Sequence, residues 1–133
     1  MAWCSHLLLL FFIIATIDAA VASAPNWVEV VGRNKAMNKY GRIAVDQHNQ
    51  QSSGQANTNG ILIFCKTISA WEQNFTSYQS YSLGVAVRLQ QAEKLITYLV
   101  AVNVYHNNEV EKVVLQLFEV ADLNIPKNLQ CEP

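Results

Sequence analysis

The chain has few charged residues and no surplus of positive charge. Only 14% of its 133 residues are charged, with 9 lysines and arginines against 10 aspartates and glutamates. Proteins that bind nucleic acid or anionic lipid use lysine and arginine to neutralise phosphates. We therefore expect no nucleic-acid partner and no electrostatic attachment to a membrane surface.

Groups that could carry catalysis or bind a cofactor are also scarce. His48 and His106 have no third cysteine, histidine or carboxylate at metal-ligand spacing, and the glycines form no phosphate-binding loop. Cys65 could pair with either histidine, but it lies in an apolar, strand-like run, where a thiol usually packs rather than reacts. The sequence therefore favours a protein that is not an enzyme and has no metal site and no cofactor.

An apolar segment stands at the start of the chain. The run from Leu7 to Ala15 is unbroken and is followed by small residues, a pattern typical of a secretory signal peptide and too short to span a bilayer. We expect removal of residues 1–22 by cleavage after Ala22, with cleavage after Ala24 and an uncleaved anchor as the alternatives. Cleavage removes one acidic residue, Asp18, and predicts a secreted protein with no membrane segment.

The remaining residues are enough for one small domain, predicted over 23–121, followed by a tail at 122–133. Two cysteines, Cys65 and Cys131, stay in the mature chain. In an oxidising compartment they could form a disulfide that joins the tail to a strand. The alternative is a buried Cys65 in the core and a free Cys131 in a loose tail.

The periodicity of apolar residues predicts one long helix and several strands. Residues 36–50 have a helical stripe, and the polar residues at 50–60 read as a loop. Short polar links at 90–94 and 106–109 favour antiparallel pairing of the strands that they join. We predict an α+β domain with the helix packed on a curled antiparallel sheet of four to five strands. The stripe consists of Met37, Tyr40, Gly41, Ala44, Val45 and His48, and the strand-like runs cover 27–31, 61–68, 78–89, 95–105 and 110–120.

The helical run Tyr40-Gly-Arg-Ile-Ala-Val-Asp-Gln-His-Asn49 resembles the helix signature of the plant cystatins, usually written LARFAVDEHN. The positions of the small residue, the arginine, the Ala-Val pair, the acidic residue and the final His-Asn agree, and Ile43 replaces the usual aromatic residue. A strand with a tryptophan precedes the helix, and a strand, a Glu-Gln loop and three more strands follow it. The resemblance covers residues 26–120.

The resemblance implies a cystatin-like domain that inhibits papain-like cysteine proteases as a monomer. Such inhibitors occlude the protease cleft with an amino-terminal segment containing glycine, a first hairpin loop of the form Gln-x-Val-x-Gly, and a second hairpin with Pro-Trp. In this chain all three elements are altered: Pro25-Asn26 replaces the glycines, Ser77 replaces the loop glycine, and Tyr105 stands near the Pro-Trp position. The protease-binding residues that the resemblance implies are Asn26, Trp27, Gln73, Asn74, Phe75, Thr76, Ser77, Tyr105 and His106.

The first hairpin loop also contains Asn74-Phe75-Thr76, the single Asn-x-Ser/Thr sequon in the sequence. A secreted protein could have a glycan on Asn74, and the alternative is an unused sequon. Two functions remain open from the sequence. The first is a secreted inhibitor of papain-like cysteine proteases, weak or narrow in its targets. The second is a secreted protein of the same fold that no longer inhibits and serves as a binding or structural module.

Overall fold

The computed structural model describes residues 25–52, 60–90 and 92–133. The predicted signal peptide, both of its candidate cleavage sites and most of the polar loop after the helix lie outside the described residues. The described elements are β1 (Val28–Glu29), α1 (Asn34–Ser52), β2 (Leu62–Asn74), β3 (Tyr78–Leu89), β4 (Leu95–Asn107) and β5 (Val110–Val120). The strands form one antiparallel sheet in sequence order, and α1 packs on one of its faces, which confirms the predicted α+β class.

The core lies between α1 and the two central strands. The predicted helical stripe is buried from Met37 to Val45, whereas His48 is half-buried and stacks on Phe118 of β5 with ring centroids 4.0 Å apart. Opposite the helix, β3 and β4 contribute alternate, fully buried side chains, as their period of two requires. These are Leu83, Val85 and Val87 of β3, and Val100, Val102 and Val104 of β4.

Bulges in the outer strands curve the sheet around the helix. The pairing of β2 with β3 skips Cys65 and Ile68, and the pairing of β4 with β5 skips Gln116. A bulge bends its strand and increases the local twist. Because of this curvature, both long outer strands of the sheet come within reach of side chains from α1.

Two amides of α1 bind the backbones of these outer strands. Gln47 Nε2 donates to the carbonyl of Val113 at 2.8 Å, and Gln47 Oε1 accepts from the amide of Leu115 at 3.0 Å. Asn49 makes the same pair of hydrogen bonds with the amide and carbonyl of Leu62. The helix signature at residues 40–49 therefore contains side chains that join the helix to β5 on one side and to β2 on the other.

The residues after β5 cross the face of the sheet opposite to α1, which we call the outer face. Thr97 of β4 donates to the carbonyl of Ala121 and accepts from the amide of Leu123, whose side chain covers Gly84 of β3. The chain then reaches β2, where Cys131 forms a disulfide with Cys65. The tail at 122–133 is therefore attached to three strands.

The end of the tail also covers the part of β2 that β1 leaves unpaired. The amide of Glu132 donates to the carbonyl of Cys65 at 2.8 Å. The Asn38 side chain of α1 accepts from the amide of Thr67 at 2.9 Å and donates to Glu132 Oε1 at 3.0 Å. These contacts satisfy backbone groups that would otherwise be exposed at the edge of the sheet.

The two hairpin turns are shorter than the sequence predicted. The polar residues Glu72 to Asn74 were predicted as loop, but they continue β2, because each has a pairing partner on β3. Likewise β4 continues through His106 to Asn107, so the prediction that His106 lies in the turn is wrong. The loops reduce to residues 75–77 and 108–109.

The second turn places two non-glycine residues in the left-handed region of the backbone map. Asn108 has φ 50° and Glu109 has φ 67°. Two-residue hairpin turns of this kind favour Asn-Gly, and a residue with a Cβ costs about 1–2 kcal/mol in the left-handed conformation. We expect Glu109→Gly to raise the free energy of unfolding by about 0.5–1 kcal/mol, measured by urea denaturation. Glu109→Ala is the control and should give no gain; an equal gain would exclude backbone strain as the cause.

Candidate functional site: the hairpin edge

Three separate segments lie at one end of the sheet, which we call the hairpin edge (residues 25–27, 73–78 and 105–109). The register of β3 with β4 pairs Tyr78 with Tyr105, so the turns of both hairpins fall at the same end. The register of β1 with β2 pairs Val28 with Glu72, so the preceding residue Trp27 lies beside Gln73. The structure therefore brings together the segments that the sequence predicted as protease-binding.

Gln73 joins the amino-terminal segment to the first hairpin. Its Nε2 donates to the carbonyl of Pro25 at 2.6 Å. This hydrogen bond holds Pro25 beside β2, immediately before Asn26 and Trp27, and Trp27 is 46% exposed. A tryptophan with this exposure presents a large apolar contact area at the edge.

A row of three aromatic rings joins the first hairpin to the second. Phe75 stacks on Tyr78 with ring centroids 4.8 Å apart, and Tyr78 lies 5.1 Å from Tyr105 on the neighbouring strand. All three side chains are half-buried. Aromatic pairs of this geometry contribute about 0.5–1.5 kcal/mol beyond their buried area, so the row stiffens the hairpin edge.

Below the hairpin edge, on the helix-facing side, Glu72 of β2 accepts hydrogen bonds from three side chains. Tyr81 Oη donates at 2.5 Å and Arg33 Nη2 at 2.9 Å, both to Oε2, and Asn74 Nδ2 donates to Oε1 at 3.1 Å. Arg33 immediately precedes α1. The end of the first hairpin is thereby fixed to the beginning of the helix.

Glu111 of β5 has the equivalent role for the second hairpin. Tyr40 Oη donates to its Oε2 at 3.0 Å, and Lys39 Nζ lies 2.9 Å from its Oε1. The rings of Tyr40 and Tyr81 lie 5.1 Å apart, so the two carboxylate–tyrosine pairs adjoin each other. The first hairpin is therefore anchored to Arg33, just before α1, and the second to Lys39 and Tyr40 in the first half of α1.

The environment of these pairs shifts the pKa of each partner. Burial alone would raise the pKa of Glu72 and of Glu111, but the hydrogen bonds from tyrosine and from Arg33 or Lys39 outweigh it and leave both carboxyl pKa values below the usual range. Burial and the adjacent Glu111 raise the pKa of Tyr40 to about 12. Burial and Glu72 likewise raise the pKa of Tyr81.

These shifts predict a protein that loses stability in acid. A carboxyl whose folded-state pKa is depressed stabilises the fold above its unfolded pKa, and this contribution is lost as the pH falls through the folded pKa. We expect the free energy of unfolding to fall as the pH is lowered from about 5 to about 3. In the variant Glu72→Gln/Glu111→Gln we expect lower stability at neutral pH, by about 1 kcal/mol per site, and a weaker pH dependence. Urea denaturation at several pH values measures both.

Glu119 provides the control for this pH dependence. It is exposed on β5 and lies away from the carboxylate–tyrosine pairs. Glu119→Gln should leave the profile close to that of the unchanged chain. If Glu72→Gln/Glu111→Gln kept the full acid sensitivity of the unchanged chain, other carboxyl groups would be the cause of that sensitivity.

The remaining predicted site residues occupy different environments. Thr76 and Ser77 are exposed in the first turn, and neither has a positive φ, so serine in place of glycine causes no backbone strain there. Tyr105 and His106 lie in β4, with His106 Nε2 3.0 Å from Gln79 Oε1. The second turn itself consists of Asn108 and Glu109, which the sequence did not identify as contact residues.

The Cys65–histidine pair that the sequence left open is excluded in this structure. Cys65 is bonded to Cys131, so it offers no thiol to His48 or His106. Within residues 25–52, 60–90 and 92–133, no three histidine, cysteine or carboxylate side chains form a group able to hold a metal ion. In the same ranges, no helix combines the length and apolar character needed to cross a bilayer.

The polar anchors of the hairpin edge were not predicted from the sequence. Glu72 belongs to the Glu-Gln pair that read as loop, and Glu111 follows the second turn without a distinguishing motif. Tyr40 stood in the predicted helical stripe and Tyr81 in the alternating strand-like run 78–89, which is the available signal, because a buried tyrosine hydroxyl requires a polar partner.

Comparison of the sequence with protein-family models, with curated proteins and with solved structures gives no match.

Proposed function

We propose that this protein is a secreted inhibitor of papain-like cysteine proteases and that the hairpin edge is its inhibitory surface. The observation that carries the proposal is the convergence of three separate segments at one end of the sheet. The resemblance of residues 40–49 to the helix signature of the plant cystatins supports it, as does the layout of one helix on an antiparallel sheet, which is the layout expected of a cystatin-like fold.

The proposed mechanism is occlusion of the protease cleft without chemistry. A surface that is rigid before binding loses little conformational entropy when it binds, so more of its contact energy appears as affinity. The Gln73–Pro25 hydrogen bond and the aromatic row supply this rigidity. Trp27 is the main apolar anchor in this proposal, because it is the most exposed aromatic side chain of the edge.

The residues at the tip of the first hairpin define what this inhibitor could bind. Ser77 adds a hydroxymethyl group where a glycine would allow closer approach to the protease. Phe75 is larger than the valine of the family pattern and is held against Tyr78. We infer that the tip of this hairpin is broader than the family pattern and enters a protease cleft less deeply. Such a tip is consistent with weak inhibition or a narrow set of target proteases.

The alternative function is a secreted binding or structural module of the same fold that does not inhibit proteases. The observation that favours it is that the side chains of Gln73 and Phe75 already contact other residues of the protein. Gln73 donates a hydrogen bond to Pro25, and Phe75 stacks on Tyr78. In this case the same contacts stabilise the hairpins and have no role in a protease cleft. Stability and inhibition measured on one variant separate the two functions.

Phe75→Ala is the variant that tests the proposal. We expect about tenfold weaker inhibition of papain in a fluorogenic assay, because an apolar contact at the centre of the interface is removed. Glu93→Ala, at the opposite end of the sheet, should not change inhibition. Trypsin should not be inhibited by any of these proteins. Loss of inhibition in Glu93→Ala, or equal inhibition of trypsin, would contradict occlusion of a cysteine protease by the hairpin edge.

A further inference from the structure

The sequon in the first hairpin is accessible to an enzyme that would attach a glycan. Asn74 is the last residue of β2, and both Asn74 and Thr76 are exposed. The predicted signal segment and the Cys65–Cys131 disulfide are the features of a chain that passes through an oxidising secretory compartment, where sequons are modified.

The geometry of Asn74 tolerates substitution on its amide nitrogen. Nδ2 has two N–H groups, and one of them donates to Glu72 Oε1 at 3.1 Å. A glycosidic bond replaces one hydrogen of the amide and leaves the other. The hydrogen bond to Glu72, and with it the arrangement of Tyr81 and Arg33 around that carboxylate, is therefore compatible with a glycan.

We propose that Asn74 is N-glycosylated and that the glycan regulates the hairpin edge; the regulatory half rests on the proposed inhibitory function. The donor is an oligosaccharide linked to a lipid pyrophosphate. A bond forms between Asn74 Nδ2 and C1 of the first sugar, the bond from C1 to the pyrophosphate oxygen breaks, Nδ2 loses a proton, and the lipid pyrophosphate leaves.

The position of the glycan explains its proposed effect. Asn74 separates Gln73 from the turn at 75–77, and its side chain points to the helix-facing side, toward Glu72. A bulky hydrated sugar at this point meets the wall of a protease cleft before the turn can enter it. The aromatic row lies on the other side of the hairpin, so glycosylation leaves its packing unchanged.

The modification is tested by mass, independently of any inhibition. The full chain is produced in a secreting eukaryotic host together with Thr76→Ala, which destroys the sequon, and Thr76→Ser, which preserves it. We expect the unchanged chain and Thr76→Ser to have a glycan mass that an endoglycosidase removes down to a single sugar, and Thr76→Ala to have only the mass of the polypeptide. A secreted, folded chain without glycan mass would overturn the assignment of Asn74.

The regulation is tested by titrating papain with the secreted chain before and after endoglycosidase trimming. We expect trimming to strengthen inhibition by about tenfold or more. Unchanged inhibition after trimming would overturn the regulatory role while leaving the inhibitory function intact. If neither form inhibits, the inhibitory function and its regulation both fail, and the mass measurement alone still decides the modification.

Discussion

Replacing Cys131 by serine is expected to lower the free energy of unfolding by about 4 kcal/mol, as the chain-entropy model gives for a closed loop of this length. The disulfide to Cys65 joins residues 66 positions apart and so closes half of the chain into one loop. Its loss increases the conformational freedom of the unfolded chain. This is the largest change in stability that we expect from a single substitution outside the core.

The same substitution should release the tail. Without the disulfide, the last residues of the tail retain only hydrogen bonds such as those of Glu132 with Cys65 and with Asn38, each of which contributes about 1 kcal/mol. Release of these residues exposes the unpaired edge of β2 that Glu132 covers. An exposed strand edge is a site of association, so Cys131→Ser should also aggregate more readily than the unchanged chain.

Guanidinium denaturation of Cys131→Ser and of the unchanged chain, each with and without reductant, measures this effect. The reduced unchanged chain should match the variant, because both lack the same cross-link. Glu132→Ala keeps the disulfide and should lose only about 1 kcal/mol. A difference of less than 1 kcal/mol between Cys131→Ser and the unchanged chain would show that the tail does not stabilise the fold through this bond.

Trp27→Ala is expected to weaken inhibition of papain by about thirtyfold or more. An anchor residue at the centre of an interface contributes at least about 2 kcal/mol of binding free energy, which corresponds to this factor. Trp27 is 46% exposed and belongs to the amino-terminal segment that Gln73 holds at the hairpin edge. Because much of its side chain is already exposed, the fold should lose little stability. The expected loss therefore lies in binding and not in folding.

Trp71 supplies a matched control for this prediction. Trp71 is 44% exposed, and it pairs with Glu29 and Ser82, farther from the edge than Trp27. We expect Trp71→Ala to leave inhibition within about threefold of the unchanged chain, as for most residues outside the centre of an interface. Equal losses in the two variants would indicate a binding surface on the side of β1 and β2 and would contradict the role given to the hairpin edge.

The sequence predicts the elements of this fold well where their periodicity is strong. The predicted bounds of β3 and β5 agree with the structure, and α1 extends two residues beyond each end of the predicted helix. The end of β2 was missed because Glu72 to Asn74 are polar and have the composition of a loop. Pairing with β3 decides their conformation, and composition alone does not show pairing.

The arrangement of the hairpin edge depends on contacts between residues far apart in the sequence. Arg33 meets Glu72, and Tyr40 meets Glu111, across separations of 39 and 71 residues. No local pattern in the chain specifies such pairs. The position of the tail was open for the same reason, since the two cysteines could equally have been a core thiol and a free thiol until the fold placed their Cα atoms 4.3 Å apart.

The central claim, that the hairpin edge occupies the cleft of a papain-like protease, is tested most directly by a competition experiment. Papain is titrated at several concentrations of fluorogenic peptide substrate with the chain from residue 23 onward, produced without glycan and with the disulfide formed. We expect competitive inhibition with a submicromolar dissociation constant. Absence of inhibition at tens of micromolar by a chain that unfolds cooperatively, or inhibition that substrate does not relieve, would contradict it.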